Sequence, residues 1–308
     1  MEIALQFVLL ALGFVMLGKG ADWFVEGAAG IAMRFGIPQL VIGLTIVAMG
    51  TSAPEAAVSI AAAVKGNADI TIGNIVGSNI LNILVILGLA ASIVPIAVAR
   101  STVRIEIPFM IGVTALLFYQ GRDSSISLAD GGVLMVAFAA YMMYLYTMAM
   151  KSNVDSDLEE PGLPLGRCLL GAVGGLALII AGSNVTVGAA TSIATYAGLS
   201  ERFIGLTIVA LGTSLPELIT SVAAARRGNA DIAIGNIVGS NIFNILFVVG
   251  LSSLIIDIPF ASAFNFDTYV ALGAAVLLWL CVLRTQRLQR WAGALMLMCY
   301  AAYLGYIL

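Results

Sequence analysis

The stretch Gly50-Thr51-Ser52-Ala53-Pro54-Glu55, followed by Gly73-Asn74-Ile75-Val76-Gly77-Ser78-Asn79, returns later in the chain. The second copy reads Gly212-Thr213-Ser214-Leu215-Pro216-Glu217 and Gly235-Asn236-Ile237-Val238-Gly239-Ser240-Asn241. One constant offset carries Glu55 onto Glu217 and Ser78 onto Ser240. Across Ile42–Leu89 and Ile204–Leu251 roughly three-quarters of the positions are identical without a gap, the mark of an internal duplication. Each copy places a carboxylate, a proline, glycines and hydroxyls inside an apolar run.

The surroundings of these motifs set the class. Of the 308 residues 61% are hydrophobic and only 10% charged, too few polar groups to cover a water-soluble surface. Apolar runs near the spanning length of about twenty residues recur throughout, so the fold class is an all-α polytopic membrane protein. No cleavable leader is expected, because the apolar run from Ile3 lacks a basic start and continues past signal length. A net charge of −3 gives no reason to expect nucleic acid as a partner. Cys168, Cys281 and Cys299 form no metal-binding spacing and read as small apolar residues. Histidine is absent, which removes the commonest transition-metal ligand and the usual neutral-pH proton carrier.

In chain order, Ile3 to about Met33 reads as one long helix carrying Lys19, Asp22 and Glu26. Their counterparts in the second copy are Ala181, Asn184 and Gly188, so these charges are not duplicated and suit a local ion pair or a wet helix face. The two motif-bearing spans, about Pro38–Val64 and Ile70–Val94, are joined by a polar turn at Lys65–Asp69. Plainer helices follow near Val103–Tyr119 and Leu128–Met150. A polar linker at residues 151–164, with Asp155, Asp157, Glu159 and Glu160, reads as a solvated loop between halves. The programme then repeats: Leu165–Ala197, Phe203–Ala225, Ile232–Ile256, Thr268–Leu283 and Leu288–Leu308. The expectation is ten transmembrane helices as two five-helix repeats, residues 1–150 and 165–308.

An odd number of spans per repeat requires the two halves to insert with opposite orientation. With the N-terminus outside, the cytoplasmic side would hold Arg34, Arg100, Arg104, Lys151, Arg167, Arg226, Arg227, Arg284, Arg287 and Arg290. The outside would hold only Lys65, Arg122 and Arg202. The bias predicts a multi-pass protein of the inner membrane with both termini outside.

Inverted repeats with helices broken at mid-membrane are a transporter architecture whose ion sites lie between the repeats. Ala48, Thr51, Ser52, Glu55 and Ser59 recur at steps of three and four and share a helix face, as do Asn74, Ser78 and Asn82. The second set is Ala210, Thr213, Ser214, Glu217 and Ser221, with Asn236, Ser240 and Asn244. Brought together, they would offer two carboxylates, hydroxyls, amides and main-chain carbonyls, an all-oxygen set that suits hard cations such as Na⁺ and Ca²⁺. An uncompensated carboxylate at that depth costs about 2.5–3.5 kcal/mol. A glutamate serving only as glue between helices is the weaker reading, since both acids lie in broken, duplicated motifs. For Asn74, Asn79, Asn236, Asn241 and the motif glycines, helix packing and a role at the site explain the pattern equally well.

These motifs resemble the cation/Ca²⁺ exchanger superfamily, and most closely the prokaryotic Na⁺/Ca²⁺ exchangers, over the whole chain. The resemblance implies that Glu55 and Glu217 are the central ligands and that Thr51, Ser52, Thr213, Ser214, Ser78 and Ser240 supply oxygens. It implies that the carbonyls of Ala48 and Ala210 take part, that Asn82 faces the cavity, and that the two long helices slide across a more rigid core. Family members often carry an aspartate where this chain has Asn244. With Asn at both 82 and 244 the cavity holds two acids, and two carboxylates balance one Ca²⁺ or two Na⁺ but not three Na⁺.

The function expected is a secondary antiporter exchanging Ca²⁺ for Na⁺ by alternating access. It would be no enzyme and need no cofactor beyond the transported ions, with the bilayer as its environment and no obligate protein partner. A Ca²⁺/H⁺ antiporter of the same fold is the nearest alternative, and the missing histidine argues mildly against it. A cation channel is less favoured, because the polar residues cluster at mid-depth rather than lining a continuous path.

Overall fold

The protein, seen in a computed structural model, is described over residues 2–66, 68–151, 163–198 and 210–307. Among these residues seven helices are long and apolar enough to cross a membrane: Ile3–Phe35, Thr71–Ile93, Thr102–Asp123, Leu128–Lys151, Leu165–Tyr196, Ala230–Ile255 and Ala263–Leu283. The pair Gln39–Thr51 and Ala53–Val64 is long and apolar enough only when taken together, is bent by 51°, and makes an eighth if its two parts are one span. The expected span Phe203–Ala225 begins outside the described residues, which show Ala210–Thr213 and Leu215–Arg226. The last expected span is the 18-residue helix Arg290–Ile307, which carries an arginine and three tyrosines and is not among the seven. The linker acids Asp155, Asp157, Glu159 and Glu160, and Arg202, lie outside the described residues.

The bend falls where the sequence asks for one. Ser52 leaves the helical path, and Pro54 occupies the first turn of the next segment, where its missing N–H would have had no helical partner. Ser214 and Pro216 stand in the same relation to Leu215–Arg226. Pro54 therefore starts a helix rather than interrupting one.

Thr71–Ile93 and Ala230–Ile255 are the most enclosed of the long helices. Each contains one widened, π-helical stretch, Asn82–Leu87 and Asn244–Val249, and each stretch opens on an asparagine of the candidate site. Such a turn carries an extra residue and re-aims the side chains around it. The outer helices expose apolar side chains such as Leu5, Phe7, Val8, Val133, Val136 and Leu170, the surface expected against lipid.

The two longest helices, Glu2–Phe35 and Leu165–Tyr196, pack chiefly on each other through glycines. A methyl group on Gly20 would stand 2.9 Å from the carbonyl oxygen of Gly175 and from the amide nitrogen of Ile179. One on Gly182 would stand 3.0 Å from the amide nitrogen of Leu17. Small residues let backbones meet where no hydrophobic force draws helices together in lipid.

Among the described residues, four two-residue strands, which the sequence did not announce, tie the ends of the helices. β1 (Ile96–Ala97) pairs antiparallel with β4 (Arg287–Leu288), and β2 (Ser125–Ile126) with β3 (Ile258–Pro259). The repeat offset carries Ile126 onto Leu288 and Ile96 onto Ile258, so the register Ile126↔Ile258 maps onto Leu288↔Ile96. The two ties are thus counterparts.

Glu106 departs from the reading of Val103–Tyr119 as a plain helix. It is fully buried at the end of a π-helical turn, Thr102–Glu106. Cys168 and Cys281 are buried and Cys299 partly so, and all three are free thiols.

The glycine contact gives a direct test. Gly175→Ala should destabilise the protein by about 1–3 kcal/mol through overpacking, although alanine favours helix. Gly174→Ala, one residue away with open space around it, should be neutral or stabilising. Thermal melting of both variants in detergent checks the contrast, and equal melting would contradict the packing.

Candidate cation site

Glu55 and Glu217 each lie in the first turn of the helix that follows a break, and both are buried. The breaks cross, so each acid is reached by the hydroxyl of the other half. Ser52 donates to Glu217 Oε1 at 2.8 Å, and Ser214 donates to Glu55 Oε1 at 3.4 Å. The sequence reading grouped each serine with the glutamate of its own motif; the hydrogen bonds join it to the other one.

The enclosed helices bring a second set of crossed bonds. Asn79 Nδ2 donates to the carbonyl oxygen of Asn241, and Asn241 Nδ2 to that of Asn79, both at 3.2 Å. Asn82 Nδ2 donates to Asn241 Oδ1 at 2.9 Å, and Asn244 Nδ2 to Asn79 Oδ1 at 3.1 Å. Each of these bonds has its counterpart under exchange of the two repeats. In a membrane such a bond contributes about 0.6 kcal/mol, so the four specify register more than they supply stability.

Asn74 and Asn236, whose role the sequence left open, support the acids from behind. Asn74 Nδ2 reaches Ser59 Oγ at 3.0 Å and the Glu55 carbonyl oxygen at 3.3 Å. Asn236 Nδ2 reaches Ser221 Oγ at 2.9 Å and the Glu217 carbonyl oxygen at 3.4 Å. Thr51 Oγ1 donates to Asn236 Oδ1 at 3.0 Å, and Ser240 Oγ donates to the Ala48 carbonyl oxygen at 3.3 Å. Ser78 is buried in the same region, and Thr213 is partly exposed. Ala210 opens the turn Ala210–Thr213.

Four buried oxygens of this lattice have no hydrogen-bond partner: Glu55 Oε2, Glu217 Oε2, Asn82 Oδ1 and Asn244 Oδ1. They form two pairs, each made of the same atom in the two repeats. Buried acceptors are normally satisfied, so two matched pairs of lone carboxylate and amide oxygens are acceptors that a positive charge, a proton or a cation, can satisfy. Among the described residues no group of three or more His, Cys, Asp or Glu side chains is placed to hold a metal. A cation here would meet two carboxylates together with neutral oxygens.

Asp22 and Glu26 do not form a local pair. Arg227 bridges to Asp22 Oδ1 at 3.0 Å and to Glu26 Oε2 at 3.4 Å, joining the first long helix to the end of Leu215–Arg226. A cleft of about 420 Å³ runs beside this bridge, lined by Gly18, Ala21, Asp22, Ile219, Val222 and Arg226 among others. Lys19 is exposed. The missed signal was the unduplicated acid pair Asp22 and Glu26; Arg227 itself has a cationic counterpart, Lys65.

The model of the sodium/calcium exchanger protein family matches residues 5–147 and 168–308. A putative antiporter, CaxA, of Alkalimonas amylolytica is 41% identical over 98% of both chains. The sodium/calcium exchanger MaX1 of Methanosarcina acetivorans is 33% identical over 98% of both. A solved structure of the sodium-calcium exchanger NCX_Mj superposes with a TM-score of 0.86 at 33% identity, covering 98% of this chain and 99% of that one. The chain is a multi-pass helical membrane protein and belongs to the sodium/calcium exchanger family.

Proposed function

We propose that this protein is a secondary antiporter that exchanges Ca²⁺ for Na⁺ at a single site between two inverted five-helix repeats. The observation that carries the reading is the matched set of partnerless oxygens on Glu55, Glu217, Asn82 and Asn244. In this reading Glu55 and Glu217 are the charged ligands. Thr51, Ser52, Thr213, Ser214, Ser78 and Ser240 supply hydroxyls, and Ala48 and Ala210 supply carbonyls. Ten spans place both termini outside the inner membrane, in keeping with the distribution of lysine and arginine. Residues 1–150 and 165–308 are the repeats, and 151–164 joins them.

Exchange follows from electrostatics. Without a cation the site holds two carboxylates in a medium that penalises charge, and the protein resists changing the side to which it opens. One Ca²⁺ or two Na⁺ cancel that charge and release the restraint. Because both ions use the same oxygens, occupancy is mutually exclusive, and one ion leaves as the other arrives. The long glycine-packed helices, which pack chiefly on each other, are the moving part, and Arg227 latches the first of them through Asp22 and Glu26.

Reconstituted into liposomes, the protein should take up Ca²⁺ when a Na⁺ gradient is imposed and not when only a H⁺ gradient is present. Uptake driven by H⁺ alone would overturn the Na⁺ assignment, and flux with neither gradient at channel rates would overturn antiport.

Asn244→Asp adds a third negative charge to the site. Its expected effect is a steeper Na⁺ dependence of Ca²⁺ exchange and an altered charge moved per Ca²⁺, measured electrically on supported membranes. An unchanged Na⁺ dependence would remove Asn244 from the cavity.

A further inference from the structure

Away from the central site, the helix Thr102–Asp123 carries a carboxylate that the exchange reading does not use. Glu106 is fully buried, and Tyr144 donates its hydroxyl to Glu106 Oε1. The other oxygen, Oε2, has no partner. Two neighbouring groups belong with it. Thr102 lies one turn before Glu106 on the same helix, and Tyr141 lines the same cleft from Leu128–Lys151; both are buried, the Tyr141 hydroxyl has no partner, and the Thr102 hydroxyl, which meets no full hydrogen-bond geometry, stands beside the Glu106 carboxylate. Among the described residues the ion pairs are those of Arg227, so no basic side chain compensates Glu106.

The surroundings of the cluster are apolar. The cleft holds about 150 Å³ and is lined by Ile105, Phe109 and Ala140 beside Glu106, Tyr141 and Tyr144. Ile105 and Ala140 are exposed on the outer, lipid-facing surface. Glu106 itself is not duplicated: its repeat counterpart is Thr268, whose hydroxyl bonds to the Phe264 carbonyl, while in the second half Tyr303, the counterpart of Tyr141, donates to the neighbouring Asp267 at 2.8 Å and leaves no such cluster of partnerless oxygens among the described residues. Glu106 is therefore not part of the crossed lattice around Glu55 and Glu217.

We propose that Glu106, with the hydroxyls of Thr102 and Tyr141, forms a second binding site for a small monovalent cation, Na⁺ in particular, at the lipid-facing cleft between these two helices. The charge sets the valence, since one carboxylate balances one positive charge and leaves a divalent ion uncompensated. The donor set separates a metal cation from a proton. A proton on Oε2 settles one partnerless oxygen, whereas a cation draws lone pairs from all three. Hard carboxylate and hydroxyl oxygens are the ligands Na⁺ takes.

The test uses the apolar carboxyl reagent dicyclohexylcarbodiimide on the full-length protein in detergent, in the Glu55→Gln/Glu217→Gln background and, with peptide mapping, in the unaltered protein. Labelling is read by mass spectrometry at Glu106, so the outcome does not depend on transport through the central site. The expected result is labelling in choline chloride that NaCl suppresses at the same pH. Thr102→Val should still label at Glu106 but require about tenfold more Na⁺ for half protection. Equal labelling in NaCl and choline chloride would overturn the proposal and leave Glu106 a neutral acid. Absence of labelling in both salts would overturn the open cleft on which it rests.

Discussion

Two carboxylates buried among apolar helices are the groups around which this molecule is arranged. Neither is balanced by a basic side chain among the described residues, and each receives a hydroxyl from the opposite motif, Ser52 to Glu217 and Ser214 to Glu55. Those bonds require that both helix breaks meet at one depth with their ends crossed. The breaks depend on Pro54 and Pro216, which begin the segments carrying the acids. The asparagine lattice then holds the two enclosed helices in the register that keeps the acids together.

Much of this could be read in the sequence because the duplication is long and gapless. A carboxylate inside an apolar run carries a cost, and its return at the same motif position in the second copy is hard to explain by packing alone. The helical membrane class followed from composition and a break in the motif-bearing span from its proline, although the helix breaks at Ser52 and Pro54 begins the next segment. What escaped were contacts that no local pattern encodes. The pairing of Ser52 with Glu217 needs the three-dimensional crossing of two halves. The bridge from Arg227 to Asp22 and Glu26 joins charges from opposite halves of the chain. The two-residue strands are too short to show any alternation, and Glu106 was hidden in an otherwise apolar helix.

The symmetry between the halves is close but incomplete. The serine–glutamate and asparagine bonds repeat between the halves, whereas the bridge from Arg227 to Asp22 and Glu26 has no counterpart acids at Asn184 and Gly188, and Glu106 is replaced by Thr268. A strictly symmetric protein would hold its two access states at equal energy. In the antiport reading, one-sided features would bias that balance by a few bonds' worth of energy, a scale small enough for a bound cation to reverse.

The central claim is that Ca²⁺ and Na⁺ compete for the same oxygens around Glu55 and Glu217. Equilibrium binding of radioactive Ca²⁺ to the purified protein, titrated with NaCl against choline chloride at constant ionic strength, tests it most directly. The account predicts that Na⁺ weakens Ca²⁺ binding progressively while the number of sites at saturation stays constant. Ca²⁺ binding indifferent to Na⁺ would contradict it.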